Sequence, residues 1–220
     1  MRIAAIVAAA GSGDRLGAKQ PKSLVKLGGK TLIEHSVELL RPFAAQVIVV
    51  APSTHLDKVE KLFAKDDSVE VVAGGSSRSI SVRNAISVLD KDIDCVLIHD
   101  AARALTPVDV VERVIAELKR GAEGVVPTLP LADTVKEVLG EKVVRTVDRT
   151  SLQRAQTPQG FKTKTIVDAH AAAKRDGVEG TDDASLVERI GIKINTVVGD
   201  ERALKITTPF DLAVAEKVFS

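Results

Sequence analysis

Short apolar runs rich in β-branched residues alternate along the chain with longer segments in which apolar residues recur at helical spacing. The apolar runs cover residues 3–10, 46–51, 69–73 and 95–99. Nearly continuous apolar runs are typical of strands that are covered on both faces, and their alternation with helices is typical of repeated βαβ units. The pattern therefore predicts an α/β fold, a Rossmann-like three-layer domain with a mostly parallel sheet.

Hydroxyl residues mark the predicted starts of three helices. Thr31 and Glu34 have the spacing of a capping box. In this motif the side chain of each residue accepts a hydrogen bond from the backbone N–H of the other. Thr106 and Thr208 each precede a proline, so each is a predicted N-cap followed by a residue suited to the first helical position. These helices are predicted at 31–40, about 107–119 and 209–218, with further helical spacing over 56–63 and 82–89.

The stretch 129–154 departs from this alternation. Residues 134–139 and 142–147 have the composition of two short strands joined around Gly140 and Glu141. We interpret the stretch as a β-hairpin arm inserted into a single domain that covers residues 1–220. Because an isolated two-stranded ribbon is only marginally stable, we expect the arm to pack against a second copy of the chain in a homodimer.

Composition narrows the classes of function. The chain carries 31 Lys and Arg against 30 Asp and Glu, so it has no large positive charge that would attract nucleic acid. It also has no Trp or Tyr on which the bases of a single strand could stack. The lone Cys95 lies in an apolar run and is expected to be a buried thiol. No apolar stretch is long enough for a bilayer span, and we expect a cytoplasmic protein. His35, His55 and His170 are expected at the surface.

A glycine-rich loop follows the first apolar run, with the sequence Ala-Ala-Gly-Ser-Gly-Asp-Arg-Leu-Gly over residues 9–17. Such turns bind phosphates in α/β sheets because small residues let backbone N–H groups approach the anion. The third glycine falls one residue late for the dinucleotide-binding motif, and residues 17–19 fail the P-loop spacing. A dehydrogenase and a P-loop NTPase are therefore disfavoured.

Arg15 and Lys22 are basic residues on or next to this loop. Nucleotidyl transfer needs positive charge around the attacked phosphorus, because the nucleophile is already an anion. The loop context predicts that Arg15 and Lys22 supply this charge. The alternative is that both are ordinary solvated surface residues.

Six segments, taken in order, resemble a single family. They are residues 9–16 with Pro21 and Lys22, then 74–82, 99–103, 157–159, 181–185 and 205–207. Together they resemble the sugar-phosphate nucleotidyltransferases, and among these the 2-C-methyl-D-erythritol 4-phosphate cytidylyltransferase family of the non-mevalonate isoprenoid pathway. The resemblance extends over nearly the whole chain.

The resemblance implies transfer of CMP from CTP to methylerythritol phosphate, with release of pyrophosphate. It also implies a divalent cation such as Mg²⁺, which we expect the triphosphate rather than a protein metal site to hold, because Mg²⁺ tends to retain water. His99 and Asp100 lack further ligands at metal spacing. By resemblance the catalytic residues are Arg15 and Lys22, which stabilise the transition state, and Arg149 and Lys205, which position the attacking phosphate.

The resemblance assigns binding residues as well. Those implied for CTP are Ala9, Ala10 and Gly11 through their backbone, Gly75, Ser76 and Ser81 around cytosine, and Ala101 at the ribose. Those implied for methylerythritol phosphate are Asp100, Arg103, Thr157 and Thr181, with Thr134 and Arg149 reaching from the arm into the site of the partner subunit. A simpler interpretation of residues 74–75 is a turn before a helix capped by Ser79 or Ser81.

Three other functions remain open from the sequence. A ribitol 5-phosphate cytidylyltransferase would share the fold and the CTP chemistry, although Asp-Ala-Ala-Arg at 100–103 favours the methylerythritol enzyme. A silent nucleotide-binding module on this fold is disfavoured by the presence of both Arg15 and Lys22. A nicotinamide dehydrogenase is disfavoured by the glycine spacing.

Overall fold

A computed structural model describes residues 1–11, 13, 16, 17 and 20–219. Its strands are β1 (Ile3–Ala8), β2 (Lys26–Leu27), β3 (Lys30–Thr31), β4 (Gln46–Ala51), β5 (Val69–Ala73), β6 (Cys95–Asp100), β7 (Gly124–Pro130), β8 (Val135–Leu139), β9 (Lys142–Val147), β10 (Gln153–Ala155), β11 (Gln159–Lys162) and β12 (Asn195–Val198). Its α-helices are α1 (Leu32–Leu40), α2 (Leu56–Phe63), α3 (Arg78–Ile86), α4 (Val108–Lys119), α5 (Thr163–Arg175), α6 (Asp183–Arg189) and α7 (Pro209–Phe219).

The central sheet has the strand order β10-β7-β11-β6-β1-β4-β5, with β12 also paired to β7. The strands predicted from the apolar runs, β1, β4, β5 and β6, lie side by side and are parallel. Beyond β6 the sheet continues through β11, which is antiparallel to both β6 and β7. The predicted mostly parallel α/β sheet is therefore confirmed, and its second half is built from strands that the apolar pattern did not predict.

Alternate residues of the central strands point to two separate hydrophobic layers, as strand geometry requires. Ala5 and Val7 of β1 face a layer built with α1, α2 and α4. Ala4 and Ile6 face the opposite layer, built with α3, α5 and α6. Helices thus cover both faces of the sheet, which confirms the predicted three-layer arrangement.

The β-hairpin of β8 and β9 forms its own two-stranded sheet, apart from the central one. Its strands agree with the predicted pair to within one residue, and Gly140 occupies the turn with φ of +59°. Valine and leucine side chains near its tip are more than half exposed, at Val138, Leu139, Val143 and Val144. The ribbon therefore presents apolar surface to its surroundings.

Two of the three predicted helix caps are confirmed. Thr31 and Glu34 form the capping box at the start of α1. Thr208 Oγ1 accepts a hydrogen bond of 3.2 Å from the backbone nitrogen of Asp211 at the start of α7. The prediction for Thr106 is wrong, because α4 begins after Pro107 and the Thr106 hydroxyl instead donates to the Arg103 carbonyl at 2.8 Å.

None of the described helices combines the length and the apolar character that a bilayer span requires.

Candidate active site

The carboxyl ends of β1 and β6 open onto a cavity of about 370 Å³ beside the first turn of α3. Open α/β sheets bind their ligands at this edge. The cavity is lined by Ala8, Ala10, Gly11, Lys22, Gly75, Ser76, Ser77, Arg78, Ser81, Asp100, Ala102 and Lys205. The residues among these that the sequence predicted for the site are Ala10, Gly11, Lys22, Gly75, Ser76, Ser81, Asp100 and Lys205.

Gly11 and Gly13 pack against Lys22, which lines the cavity. Gly13 has φ of +81°, and a Cβ added to it would lie 2.6 Å from the Cβ of Lys22. The Lys22 side chain runs past Gly11, where an added Cβ would lie 3.5 Å from Lys22 Cε. Glycine therefore allows the loop to pack directly on the lysine. Arg15, the second predicted cation, lies outside the described residues.

Ala9 lies behind this loop rather than in the cavity lining. Its backbone nitrogen donates to the Val50 carbonyl at 3.0 Å, and its carbonyl accepts from the Ser23 hydroxyl at 2.8 Å. Both backbone groups of Ala9 therefore anchor the loop to its surroundings. Its predicted nucleotide contact stays a prediction.

The turn before α3 forms another part of the cavity wall. Ser77 is the N-cap, accepting from the Ile80 backbone nitrogen at 3.2 Å, so the expectation of a cap at Ser79 or Ser81 is wrong. Ser81 Oγ instead donates to the Ser77 carbonyl at 2.7 Å and accepts from Gly75 N–H at 3.0 Å. The hydroxyl of Ser81 thus fixes the turn on which Gly75 and Ser76 face the cavity.

Asp100, at the end of β6, binds two cations on opposite carboxylate oxygens. Arg78 Nε donates to Oδ1 at 3.1 Å, and Lys205 Nζ lies 2.7 Å from Oδ2. Burial alone would raise the pKa of Asp100, but the charges of Arg78 and Lys205 outweigh burial and hold the pKa well below its usual range. Asp100 is therefore an ionised carboxylate in this site.

Arg78 continues this network into the interior. Its Nη1 donates to Asp183 Oδ2 at 2.7 Å, and the other oxygen of Asp183 lies 3.1 Å from His170 Nε2. Asp183 and His170 are both buried, so the expectation that His170 lies at the surface is wrong. Burial disfavours the charge on Arg78, but Asp183 and Asp100 outweigh burial and raise the pKa of its guanidinium.

Thr157 lies beneath Asp100 and links it to His99. Its Oγ1 accepts from the Asp100 backbone nitrogen at 3.0 Å and lies 3.0 Å from His99 Nδ1. Complete burial lowers the pKa of His99 to about 4, so this ring is neutral near pH 7. Thr157 is itself buried, and its predicted contact with the substrate stays a prediction.

Arg103 joins the end of β6 to two other segments. Its Nη1 donates to the Ala203 carbonyl at 2.6 Å, and its Nη2 donates to the Ala155 carbonyl at 3.2 Å. These carbonyls lie two residues before Lys205 and Thr157, so Arg103 helps to place both segments beside β6. Its predicted role at the acceptor phosphate stays a prediction.

The remaining predicted residues lie outside the lining of this cavity. Ala101 is buried, and its backbone nitrogen donates to the Ala8 carbonyl. The next residue, Ala102, lines the cavity instead. Thr134 and Thr181 are exposed. Arg149 is also exposed and donates to the Ala132 carbonyl at the base of the arm. The contacts predicted for these residues stay predictions.

Arg78, Asp183 and His170 had no predicted role in the site. Arg78 and Asp183 belong to the segments 74–82 and 181–185 that carry the resemblance, so their position in the chain was a signal. Their function depends on a contact between residues 105 positions apart, which spacing along the chain does not reveal.

The described acidic, histidine and cysteine side chains are the candidate protein ligands for a metal ion. Within ranges 1–11, 13, 16, 17 and 20–219, no group of three or more His, Cys, Asp or Glu side chains could hold a metal ion. Asp100, which lines the cavity, is bonded to Arg78 and Lys205. The described side chains therefore do not fit a metal centre held by the protein.

Comparisons with known proteins agree with this geometry. A family model described as 2-C-methyl-D-erythritol 4-phosphate cytidylyltransferase matches residues 3–220. Proteins of that name from Saccharopolyspora erythraea and Frankia casuarinae are 47% and 45% identical, each aligned with the entire chain and with 100% and 82% of their own lengths.

A solved structure named as the same enzyme, from Thermus thermophilus, superimposes with a TM-score of 0.85. It is 35% identical, and the match covers 100% of this chain and 99% of that protein. The family match and the full-length relatives show that the chain belongs to the 2-C-methyl-D-erythritol 4-phosphate cytidylyltransferase family.

Proposed function

We propose that the cavity between the glycine-rich loop and α3 is where this cytidylyltransferase joins CMP from CTP to 2-C-methyl-D-erythritol 4-phosphate. The observation that carries the proposal is the convergence of Lys22 and Lys205 on a cavity at the carboxyl edge of the sheet. The two substrates bring several negative charges into one place, and cations aimed at that place stabilise charge that develops during transfer.

CTP occupies the side of the cavity formed by the two glycine turns. Ala10 and Gly11 present backbone next to Lys22, where the triphosphate would lie. In the turn before α3, Gly75 and Ser76 present backbone and hydroxyl groups that can bond to the amide-like edge of cytosine. Ser81 supports this wall through its bond to Gly75 N–H.

Lys22 acts together with Arg15 on the transition state. The acceptor phosphate oxygen attacks the α-phosphorus of CTP in line, and pyrophosphate leaves on the opposite side. Negative charge spreads over the equatorial oxygens of that phosphorus during the attack. The ammonium of Lys22 is a compact charge suited to those oxygens.

Methylerythritol phosphate occupies the side of the cavity at the end of β6. Lys205 positions its phosphate, beside Asp100 and close to the segments that Arg103 holds. Thr157 and Thr181 complete this side. Thr134 and Arg149 reach it from the arm of a partner subunit in a homodimer, which would also cover the exposed apolar tip of the ribbon.

Mg²⁺ would be held by the triphosphate of CTP, where it would supply positive charge. This follows the preference of Mg²⁺ for phosphate ligands and retained water, and it requires no cluster of protein carboxylates. The enzyme acts in the cytoplasm, where CTP is available, and its 220 residues work as a single domain with an inserted arm.

Pyrophosphate release from the purified enzyme tests the proposal. With CTP and Mg²⁺, we expect turnover with methylerythritol phosphate that far exceeds turnover with ribitol 5-phosphate. Lys22→Ala should abolish most of this turnover, which assigns it to the cavity. Preference for ribitol 5-phosphate, or pyrophosphate release without any acceptor, would contradict the proposal.

A further inference from the structure

Arg78 is paired with two carboxylates at the site. Its guanidinium lies between two carboxylates, those of Asp100 at 3.1 Å and Asp183 at 2.7 Å. Asp183 is itself fixed, since its side chain is 1% exposed and its second oxygen lies 3.1 Å from His170 Nε2. Arg78 is thus anchored from the interior as well as from the cavity.

Lys205 is attached to the same carboxylate in a different way. Its Nζ forms an ion pair with Asp100 Oδ2 at 2.7 Å, and its side chain is 39% exposed. A lysine has a flexible four-carbon chain that ends in a single charged group. Of the two cations on Asp100, Lys205 is therefore the one that can exchange a carboxylate for a phosphate.

Asp100 presents an electrostatic problem in a site that accepts phosphates. An ionised carboxylate on the cavity wall repels an incoming anion and also competes with it for Lys205. A second cation that stays on Asp100 weakens both effects. Arg78 has the required position, because it binds the oxygen that Lys205 does not use.

We propose that Arg78 is a positioning residue, a fixed counter-ion of Asp100 that Asp183 and His170 hold from behind and that leaves Lys205 available for the acceptor phosphate. This inference rests on the proposed function, in which Lys205 positions that phosphate. Arg78 also lines the cavity, so a direct contact with the triphosphate is the competing role that an experiment has to separate.

The test compares Arg78→Met in the natural background and in an Asp100→Asn background. If Arg78 acts as counter-ion of Asp100, its loss should raise KM for methylerythritol phosphate by about 10-fold or more while KM for CTP changes by less than about 3-fold. With Asn at position 100 there is no charge to neutralise. The same loss should then change KM for the acceptor by less than about 3-fold.

Thermal unfolding shows whether each variant folds. Two further variants serve as a substitute for Arg78→Met and as a matched control. Arg78→Gln also removes the charge but keeps a polar group beside Asp183, and it replaces Arg78→Met in both backgrounds if the methionine variant does not fold. Arg83→Met makes the matched change elsewhere on α3, at a residue outside the cavity lining, and should leave both KM values unchanged.

Failure of this inference can be distinguished from failure of the proposed function. Wild-type turnover of CTP with methylerythritol phosphate in the same assay reports on that function by itself. Equal effects of the Arg78 substitution in both backgrounds would overturn the inference, as would a rise in KM for CTP instead of the acceptor. The second result would make Arg78 a triphosphate ligand.

Discussion

Gly13 packs directly on Lys22. A Cβ built on Gly13 would lie 2.6 Å from the Lys22 Cβ and 2.8 Å from its backbone nitrogen, closer than such atoms approach in proteins. The glycine also has φ of +81°, a conformation that side chains disfavour. The conformation of Gly13 and the position of Lys22 therefore depend on each other.

Gly13→Ala should displace Lys22 and reduce kcat by about 10-fold or more, because small errors in the position of a catalytic group are costly. The loss of stability should be about 1–3 kcal/mol, from strain at this φ and the close contact. Gly17→Ala is the control, since Gly17 has φ of +66° but no described residue beyond its chain neighbours lies within 4 Å of an added Cβ. Equal losses of kcat in the two variants would show that the contact with Lys22 is not what matters.

Lys22→Ala should reduce kcat by about 10²- to 10³-fold, the usual effect of removing one group that stabilises developing charge. The fold should be retained, because Lys22 lies on the cavity wall and not in the core. Lys26→Ala, at an exposed lysine in β2, should leave kcat unchanged. Steady-state pyrophosphate release and urea unfolding measure the two quantities, and near-native turnover of the Lys22 variant would remove its assigned role.

The parallel half of the sheet could be predicted from sequence because its strands are buried on both faces. Val47 to Ala51 in β4 and Val96 to Ile98 in β6 are buried and apolar, which is the pattern that a central strand imposes. β10, β11 and β12 have only three or four residues each and lack such a run. Their place depends on pairing with β7 and β6, which lie far away in the sequence.

The cavity was predicted in part for a similar reason. Gly11, Lys22 and Asp100 follow predicted strands, and the carboxyl ends of parallel strands meet at one edge of a sheet. Ser77 could not be chosen over Ser79 or Ser81, because all are serines within one turn and only the backbone decides which hydroxyl faces the first free N–H groups. The link from Arg78 to Asp183 required the fold itself.

His99 should make the stability of the protein depend on pH. Burial lowers its pKa from 6.5 to about 4 in the folded protein, so the unfolded chain binds more protons than the folded protein between these values. Stability should therefore decrease as pH falls from about 6.5 towards 4, by up to about 3 kcal/mol from this residue. Above about pH 6.5 this contribution is fully present.

Urea unfolding at a series of pH values from about 7.5 to about 5 checks this expectation. The decrease in unfolding free energy should be shallower in His99→Gln than in the natural chain, because the glutamine takes up no proton. Parallel curves for the natural chain and His99→Gln would show that burial of His99 does not control this dependence.

A mixture of two defective variants can test whether the arm acts in the site of the partner subunit. If Arg149 acts in the site of the partner subunit, a dimer of one Lys22→Ala and one Arg149→Ala chain contains one site with both natural residues and one site with neither. Unfolding and refolding the two variants together should therefore restore about a quarter of the natural activity, since about half of the dimers are mixed and each has one complete site.

The same mixture gives a different result if the arm acts in the site of its own subunit. In that arrangement every site in a mixed dimer lacks either Lys22 or Arg149, and mixing restores nothing. Refolding each variant alone is the control for recovery caused by refolding. A result without recovery would contradict the prediction that Arg149 acts in the site of the partner subunit, and recovery of about a quarter of the natural activity would support it.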